Sequence, residues 1–278
     1  MMTISYDIHC HTHLSVCADE TATIAYYVES AKKQGLTTIG IADHLWDAGV
    51  PFPSTMRTSL FAEDGNFVVD WYKAQDVAHC RQILQEIAQT DTEGIRFLFG
   101  AEAEYCPGVG LALTEEEAAG MDFIVVPNSH THHLMDRSLY YPYEKHGEYM
   151  LRATMEICTS PLKNYVTSLA HPFEAVECPH PVSYIIDTIT DEQLQEVFSA
   201  AKEAGIAAEI NTGVYRGMTD DQIRNHYMLR ILGQAKKCGC KFTFGSDSHR
   251  KGAQDVFAEV AGKVAGYLQL TQDDILSI

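Results

Sequence analysis

The amino-acid sequence predicts an α/β fold, a barrel of parallel strands enclosed by helices. Seven short apolar runs recur along the 278 residues, and a segment with helical spacing of its apolar residues follows each of them. Strands and helices that alternate in this way form parallel sheets with right-handed crossovers. The chain has no low-complexity tract and no linker-like change in composition. We therefore expect residues 1–278 to form a single domain, a usual size for an α/β barrel.

The predicted elements follow one another in seven units. The strands lie at residues 4–6, 36–42, 95–101, 123–126, 165–170, 206–210 and 241–244. Helical periodicity is present at residues 23–34, 70–87, 115–117, 144–158, 191–204, 220–237 and 254–268. Gly35 and Gly205 stand where glycine commonly ends a helix. Residues 45–69 have no clear period and predict a long loop beside His44. The result is a TIM-like barrel with one unit fewer than the usual eight.

Composition limits the possible partners and the cellular compartment. A formal net charge of -18 would repel a nucleic-acid backbone, so a general nucleic-acid binder is not expected. No apolar run approaches the roughly 20 residues that cross a bilayer, and the first residues do not form a signal peptide. The eight cysteines show no CxxC spacing, which favours a reducing cytoplasm. The oligomeric state is not encoded in any pattern of this sequence.

Residues that bind metals stand at the carboxyl ends of six of the seven predicted strands. In a parallel barrel these ends meet at one mouth, so the side chains should converge there. Nitrogen and carboxylate ligands suit zinc, manganese or iron better than calcium. Because there are more ligands than one cation can hold, we expect two or three divalent ions. The candidate ligands are His9, His11, His44, Glu102, His130, His171, Asp247 and His249.

These same motifs resemble the PHP (polymerase and histidinol phosphatase) superfamily, over almost the whole chain. The matching segments are His9-x-His11-Thr12, Asp43-His44, Gly100-x-Glu102, Ser129-His130, His171-Pro172 and Gly245-Ser246-Asp247-Ser248-His249. The resemblance implies a distorted (β/α)7 barrel with a trinuclear site that hydrolyses phosphoesters. It also implies one metal on His9, His11, Glu102 and Asp247, a second on Glu102, His130 and His171, and a third on His44 and His249.

The remaining ligand of the third metal is where this sequence departs from the family pattern. Many members have a histidine where this chain has Cys17, and Asp19 follows two residues later. We favour Asp19 as the ligand because a carboxylate suits a hydrolytic site, whereas a buried cysteine is commonly inert. Cys17 remains the alternative. His13 and His133 are not expected to be ligands.

The expected chemistry is hydrolysis by a hydroxide that bridges two of the metals, with Glu102, Asp247 and His249 as catalytic residues. Arg216 and Arg250 lie close to the motifs and are candidates for binding the phosphate, because guanidinium groups pair well with it. The segment from Glu209 to Gly213, with Arg216 downstream, is similar to histidinol-phosphate phosphatases, and so is the loop that contains Arg57.

The sequence therefore predicts a phosphatase acting on a small phosphomonoester, with histidinol phosphate as the leading substrate and histidine biosynthesis as its setting. Two other functions remain open. One is a nuclease or phosphodiesterase of the kind attached to bacterial DNA polymerases, which the lack of a basic groove disfavours. The other is a barrel without catalytic activity that metals only stabilise, in which case the metal sites would be coordinatively closed.

Overall fold

A computed structural model describes residues 2–45, 76–131, 135, 137–176, 178 and 180–278. The predicted loop at residues 45–69 lies outside this part of the chain except for Leu45. The same is true of Arg57, of His133 and of the expected start of the second helix at Asp70.

Seven strands form one sheet in which every pair of neighbours is parallel. An additional short antiparallel pair, β4 (Tyr105–Cys106) and β5 (Gly110–Leu111), follows the third strand of the barrel. The prediction of a distorted (β/α)7, TIM-like barrel is confirmed. In order around the sheet the strands are β1 (Tyr6–Cys10), β2 (Thr38–Ile41), β3 (Arg96–Glu102), β6 (Phe123–Pro127), β7 (Ser168–Ala170), β8 (Ala207–Asn211) and β9 (Phe242–Gly245).

The first and last strands meet through the residues that follow them. The His11 amide donates to the carbonyl of Ser248 (2.9 Å), and the Asp247 amide donates to the carbonyl of His9 (2.8 Å). The buried Asp7 carboxylate accepts hydrogen bonds from the Ser246 amide (3.0 Å) and from another buried side chain, that of Gln254 (2.6 Å). The barrel is thus nearly closed, and the closing contacts lie at the mouth.

The helices surround the sheet and begin and end largely where the sequence indicates. Thr23 caps α1 by accepting from the Tyr26 amide, and Gly35 ends it with a φ of 72° that favours glycine. Thr190 and Gly205 play the same parts for α7. The helices are α1 (Ile24–Gln34), α2 (Val77–Cys80), α3 (Ile83–Gln89), α4 (Glu115–Ala119), α5 (Tyr143–Thr159), α6 (Val182–Ile186), α7 (Asp191–Ala204), α8 (Asp220–Arg224), α9 (Met228–Lys237) and α10 (Phe257–Tyr267).

Some elements differ from the prediction. The expected helix 220–237 is two helices, α8 and α9, because the His226 ring accepts a hydrogen bond from the Met228 amide (3.3 Å) and interrupts the helical pattern. The described part of the expected helix 70–87 is likewise divided into α2 and α3, and α6 was not predicted. The fifth predicted strand is shorter, because residues 163–165 form a 3-10 turn. None of these differences moves a candidate ligand away from a strand end.

The core lies between the sheet and the helices, and it also supports the mouth. Tyr27 of α1 is fully buried, and its hydroxyl donates to the carbonyls of His11 (2.6 Å) and Ser248 (3.0 Å). This hydroxyl therefore ties α1 to the closing contact between β1 and β9. In the part of the chain that the structure describes, no helix is both long and apolar enough to cross a membrane.

Acid should weaken the fold through His146, a fully buried side chain of α5 whose Nε2 lies 2.9 Å from the Thr131 hydroxyl. Burial lowers the pKa of His146 from its ordinary value of 6.5 to about 4. The folded protein thus favours the neutral ring, and its stability falls as the pH drops from about 6.5 to about 4. We expect His146→Gln to remove roughly 2 kcal/mol of this loss. Urea unfolding of both proteins at several pH values measures it, and parallel stability curves would contradict the prediction.

Candidate metal centre

The Glu102 carboxylate, at the end of β3, lies at the centre of a histidine cluster and is only 1% exposed. Its two oxygens face different sets of imidazoles. The Oε2 atom lies 3.2 to 3.3 Å from the Nε2 atoms of His9, His11 and His44. The Oε1 atom lies 3.3 Å from Nε2 of His130 and 2.8 Å from Nε2 of His171. The site therefore has two halves, one around each oxygen of the Glu102 carboxylate.

The ligand-type atoms of this cluster fall into four groups, within each of which they lie no more than 4.8 Å apart. Asp247 completes the first group, since its Oδ1 lies 3.2 Å from Nε2 of His11 and 3.7 Å from Nε2 of His9. The groups are His9-His11-Glu102-Asp247, Glu102-His130-His171, His11-Cys17-His44-His249 and His44-Glu104-His130.

The ring nitrogens that point away from the centre are held by oxygen atoms. Nδ1 of His9 lies 2.7 Å from Glu209, and Nδ1 of His130 lies 2.8 Å from Glu104. Because a carboxylate only accepts, each ring carries a proton on Nδ1 and directs its Nε2 atom towards the centre. Nδ1 of His249 donates in the same way to the Asp247 carbonyl (2.8 Å). This arrangement is typical of histidines that bind metals.

Glu209 of β8 reaches both halves of the site. Its Oε1 binds His9, and its Oε2 accepts from the His171 amide (2.8 Å) and from the Asn211 side chain (3.0 Å). Gly245 makes room for this contact, since a Cβ there would lie 2.0 Å from Glu209 Oε1 and 2.5 Å from His9 Cβ. A glycine in β9 is therefore required by the packing of the two side chains against it.

The Nε2 atoms of His9 and His11 are buried and have no hydrogen-bond partner among the described residues. Such atoms are costly unless a cation or proton satisfies them. Burial alone would lower the pKa of His9, but the carboxylates of Glu209, Glu102 and Asp247 outweigh it and raise the pKa well above its ordinary value. Burial alone would raise the pKa of Glu102, but the imidazoles of His44, His9 and His130 outweigh it and hold the pKa well below its usual range. The site therefore favours a bound positive charge, and its nitrogen and oxygen donors fit zinc, manganese or iron.

A second buried carboxylate, that of Asp43, joins the ends of β1 and β2. It accepts hydrogen bonds from the Thr12 amide (2.5 Å) and the Thr12 hydroxyl (2.6 Å). Burial raises the pKa of Asp43 to about 6. These bonds join the residue that follows His11 to the residue that precedes His44. Thr12 and Asp43 therefore support the site without reaching its centre.

The structure brings together eight of the nine predicted metal ligands, and Asp19 is the exception. The Asp19 side chain is exposed and accepts from the amide (2.8 Å) and hydroxyl of Thr21. It belongs to none of the four ligand groups found among the described residues, whereas Cys17 belongs to one of them. His13 also lies apart from the groups, and its ring contacts Glu86 (3.0 Å).

The two predicted phosphate-binding residues are exposed and contact none of the candidate ligand side chains. The Arg216 guanidinium donates to the carbonyls of Ser246 (3.4 Å) and Asp247 (3.3 Å). It therefore lies against the backbone of residues 246–249, the turn that follows β9, hereafter the β9 turn. Arg250 follows His249 and lies close enough to Asp19 to lower the pKa of that carboxyl, after the larger effect of the Thr21 hydrogen bonds.

Glu209 and Glu104 were not predicted as site residues. Charged residues are almost never fully buried unless they are paired. Glu209 stands within Ala207–Asn211, a strand that is buried throughout, and the sequence shows this as an acid inside an apolar run. That signal would have identified Glu209. Glu104 follows Glu102 by two residues at the end of the same strand. Spacing alone does not tell a metal ligand from a residue that orients a ligand histidine.

A family model described as the PHP domain matches residues 7–213. A histidinol phosphate phosphatase from Lactococcus lactis subsp. lactis, solved with zinc, L-histidinol and phosphate, is similar with a TM-score of 0.62 and 15% identity over 99% of each chain. A candidate histidinol phosphatase from Listeria monocytogenes is similar with a TM-score of 0.57 and 16% identity, over 91% of this chain and 97% of that one.

At these identities, the two structures establish a common fold. A search of curated protein sequences gave no significant match. The family model, in contrast, covers well over half of the chain, including the candidate ligands from His9 to His171. The chain therefore belongs to the PHP domain family.

Proposed function

We propose that this protein is a metal-dependent phosphoesterase whose active centre is the cluster around Glu102. The observation that carries the proposal is the division of Glu102 between two sets of imidazoles, one on each carboxylate oxygen. A buried carboxylate in this position is suited to bridge two cations. Such pairs of ions act together in many enzymes that cleave phosphate esters.

In this proposal His9, His11, Glu102 and Asp247 would hold the first cation, and Glu102, His130 and His171 would hold the second. His44 and His249 would contribute to holding a further cation. When bound, such ions activate a water molecule as the nucleophile and neutralise charge on the phosphoryl oxygens. The protein holds the ligands rigidly through Glu209, Glu104 and Ser129, which contact the outward ring nitrogens.

The exposure of the ligands indicates where the substrate enters. The side chains of Asp247 and His249 are 24% and 30% exposed, whereas those of His9, His11 and Glu102 are at most 1% exposed. The phosphate would therefore approach from the β9 turn. Arg250 directly follows this turn in sequence, and Arg216 contacts its backbone from the segment after β8. We propose that the two guanidinium groups attract and orient the phosphate.

We further propose histidinol phosphate as the substrate, with a place in histidine biosynthesis. This rests on the motifs, on the PHP family and on the similar Lactococcus lactis enzyme, which binds zinc, L-histidinol and phosphate. The net charge of -18 opposes long polyanions, so a small phosphomonoester is favoured over a nucleic acid. We also propose that the whole chain is one domain and that it works in the cytoplasm, since its eight cysteines are free thiols.

The substrate is tested with purified, metal-loaded protein on a panel of phosphomonoesters that includes histidinol phosphate. A phosphodiester and single-stranded DNA serve as controls. We expect hydrolysis of histidinol phosphate to exceed that of the other compounds, to stop on treatment with a chelator, and to return with zinc or manganese. Preferred cleavage of the diester or of DNA would support the nuclease alternative, and inactivity in every loaded form would favour a structural role for the metals.

Glu102→Gln and Asp247→Asn should each lower kcat/KM by about 1,000-fold or more, because an amide cannot replace a charged ligand of the cations. Both changes preserve side-chain size. Glu116→Gln, which removes an exposed carboxylate from α4, is the matched control. Steady-state kinetics, metal analysis and circular dichroism are measured on these three variants and on the unchanged protein. A folded Glu102→Gln or Asp247→Asn variant with normal turnover would disprove the assignment.

Glu209→Gln should weaken metal binding by about 10- to 100-fold, a typical effect of losing the residue that orients a ligand histidine. An amide has one accepting oxygen, so it cannot serve His9, His171 and Asn211 together. In the double variant Glu209→Gln/Asn211→Asp, the new carboxylate can accept from the new amide, and part of the affinity should return. Competition with a chromogenic chelator gives the Kd. Unchanged affinity in the single variant would exclude the positioning role.

Arg216→Ala and Arg250→Ala should raise KM for the phosphomonoester by about tenfold, with a smaller change in kcat, since each removes a charge-assisted hydrogen bond. Lys237→Ala is the control, because it removes a positive charge at the carboxyl end of α9. This end of the helix leads into the start of β9, so Lys237 lies at the opposite end of the barrel from the mouth. Equal KM values for all four proteins would remove both arginines from the binding site.

A further inference from the structure

The third ligand group contains a thiol. The Cys17 sulfur and ring nitrogens of His11, His44 and His249 all lie within 4.8 Å of one another. The Cys17 sulfur is 3.2 Å from the Ser15 hydroxyl and 4.0 Å from Nδ1 of His11. The same cysteine occupies the position at which the sequence departs from the family pattern.

The backbone of the first loop directs Cys17 toward the cluster. The Ser15 amide donates to the Thr12 carbonyl (2.8 Å), and the Ala18 amide donates to the Ser15 carbonyl (3.1 Å). The Asp19 amide then donates to the carbonyl of His249 (3.0 Å). This last bond anchors the loop to the β9 turn immediately after Cys17, so the thiol and His249 lie together.

The same loop directs the Asp19 side chain outward. Its carboxylate is committed to the amide and hydroxyl of Thr21, within a turn at the exposed surface. Movement of this carboxylate to the cluster would break both hydrogen bonds and the Asp19–His249 backbone contact. No such cost applies to Cys17, which already lies among the imidazoles.

Each of the two histidines beside Cys17 presents a ring nitrogen within 4.8 Å of the Cys17 sulfur. Nδ1 of His249 donates to the Asp247 carbonyl, which leaves Nε2 as its ligand atom. His44 has its Nε2 near Glu102 and its Nδ1 3.6 Å from Glu104. The His11 ring stacks on His44 (4.7 Å) and His249 (4.2 Å), but its Nε2 faces Glu102 and Asp247. His11 would therefore hold the first cation of the proposed site, and its ring would line the third position.

We propose that the Cys17 thiolate, His44 and His249 form a metal site that prefers softer cations than the other two positions do. The inference rests on the proposed metal-dependent function. Thiolate ligands favour zinc over manganese, whereas imidazole and carboxylate ligands discriminate less strongly. The protein would therefore load zinc preferentially at this position and accept zinc, manganese or iron at the other two.

Cobalt(II) is the probe for this contact, because thiolate ligation gives it an intense near-ultraviolet charge-transfer band that nitrogen and oxygen ligands do not. The unchanged 278-residue chain is titrated with cobalt alongside Cys17→Ser and Asp19→Asn. The asparagine keeps a carbonyl oxygen for the Thr21 turn and removes only the charge. We expect the band in the unchanged protein and in Asp19→Asn, and its loss together with one equivalent of tightly bound cobalt in Cys17→Ser.

Selectivity is measured by loading each protein with equal concentrations of zinc and manganese, followed by elemental analysis. Cys17→Asp, which offers a hard oxygen ligand, should lower the zinc-to-manganese ratio of the third equivalent by at least about tenfold. Circular dichroism verifies folding, and the aspartate variant provides the comparison if the serine variant does not fold. A band that persists in Cys17→Ser, a cobalt equivalent lost from Asp19→Asn, or equal ratios in all proteins would overturn the proposal.

These measurements need no substrate, so they separate the two proposals. The cobalt band with no phosphatase activity would retain the thiolate site and reject the enzymatic function. Phosphatase activity without the band would retain the function and reject Cys17 as a ligand.

Discussion

The structure depends on a carboxylate placed where a carboxylate is hardest to accommodate, at the buried centre of the barrel mouth. Removal of Glu102 from water costs several kcal/mol, and only close compensating charges or hydrogen bonds can offset such a cost. Five imidazoles supply them, from strands spread around the whole sheet. Each ring is useful only if its strand ends at the same height as β3. A parallel bridge between His44 and Glu102 shows that β2 meets this requirement.

A ring of supporting residues turns this cluster into a rigid site. Glu209, Glu104 and Ser129 hold outward ring nitrogens, and the absence of a Cβ at Gly245 lets Glu209 and His9 approach each other. Two candidate ligands also have left-handed backbone conformations that are uncommon outside glycine, His171 with a φ of 25° and Asp247 with a φ of 52°. Such strain persists only where the surroundings enforce it, and it concentrates at functional sites. The His171 amide bound to Glu209 and the Asp247 amide bound to the His9 carbonyl are those surroundings.

The sequence was sufficient for the fold and for the convergence of eight predicted ligands, because strand ends in a parallel barrel must meet and each motif follows a recognisable strand. It was less informative wherever a side chain's direction depends on a distant backbone contact. The preference for Asp19 over Cys17 came from chemistry and spacing alone, whereas the orientation of that loop depends on a hydrogen bond to His249, which is 230 residues away in the chain. The break between α8 and α9 arises from a local contact of the His226 ring, which leaves the helical periodicity of the sequence intact. The sequence shows Glu209 as an acid within an apolar strand, but it does not show its partner, because His9 is 200 residues away in the chain.

The candidate ligands also close the barrel. The carbonyl of His9 accepts from Asp247, the amide of His11 donates to Ser248, and the amide of Asp19 donates to His249, so β1 and β9 are joined by the backbone of the metal-site motifs themselves. A cation that pulls His9, His11 and Asp247 together would therefore shorten the same gap that these hydrogen bonds span. Binding and closure then stabilise each other, because any ion that prefers the closed mouth adds its binding free energy to folding. The last strand lies beyond the matched family segment, yet its candidate ligands belong to the proposed site as fully as those of the first.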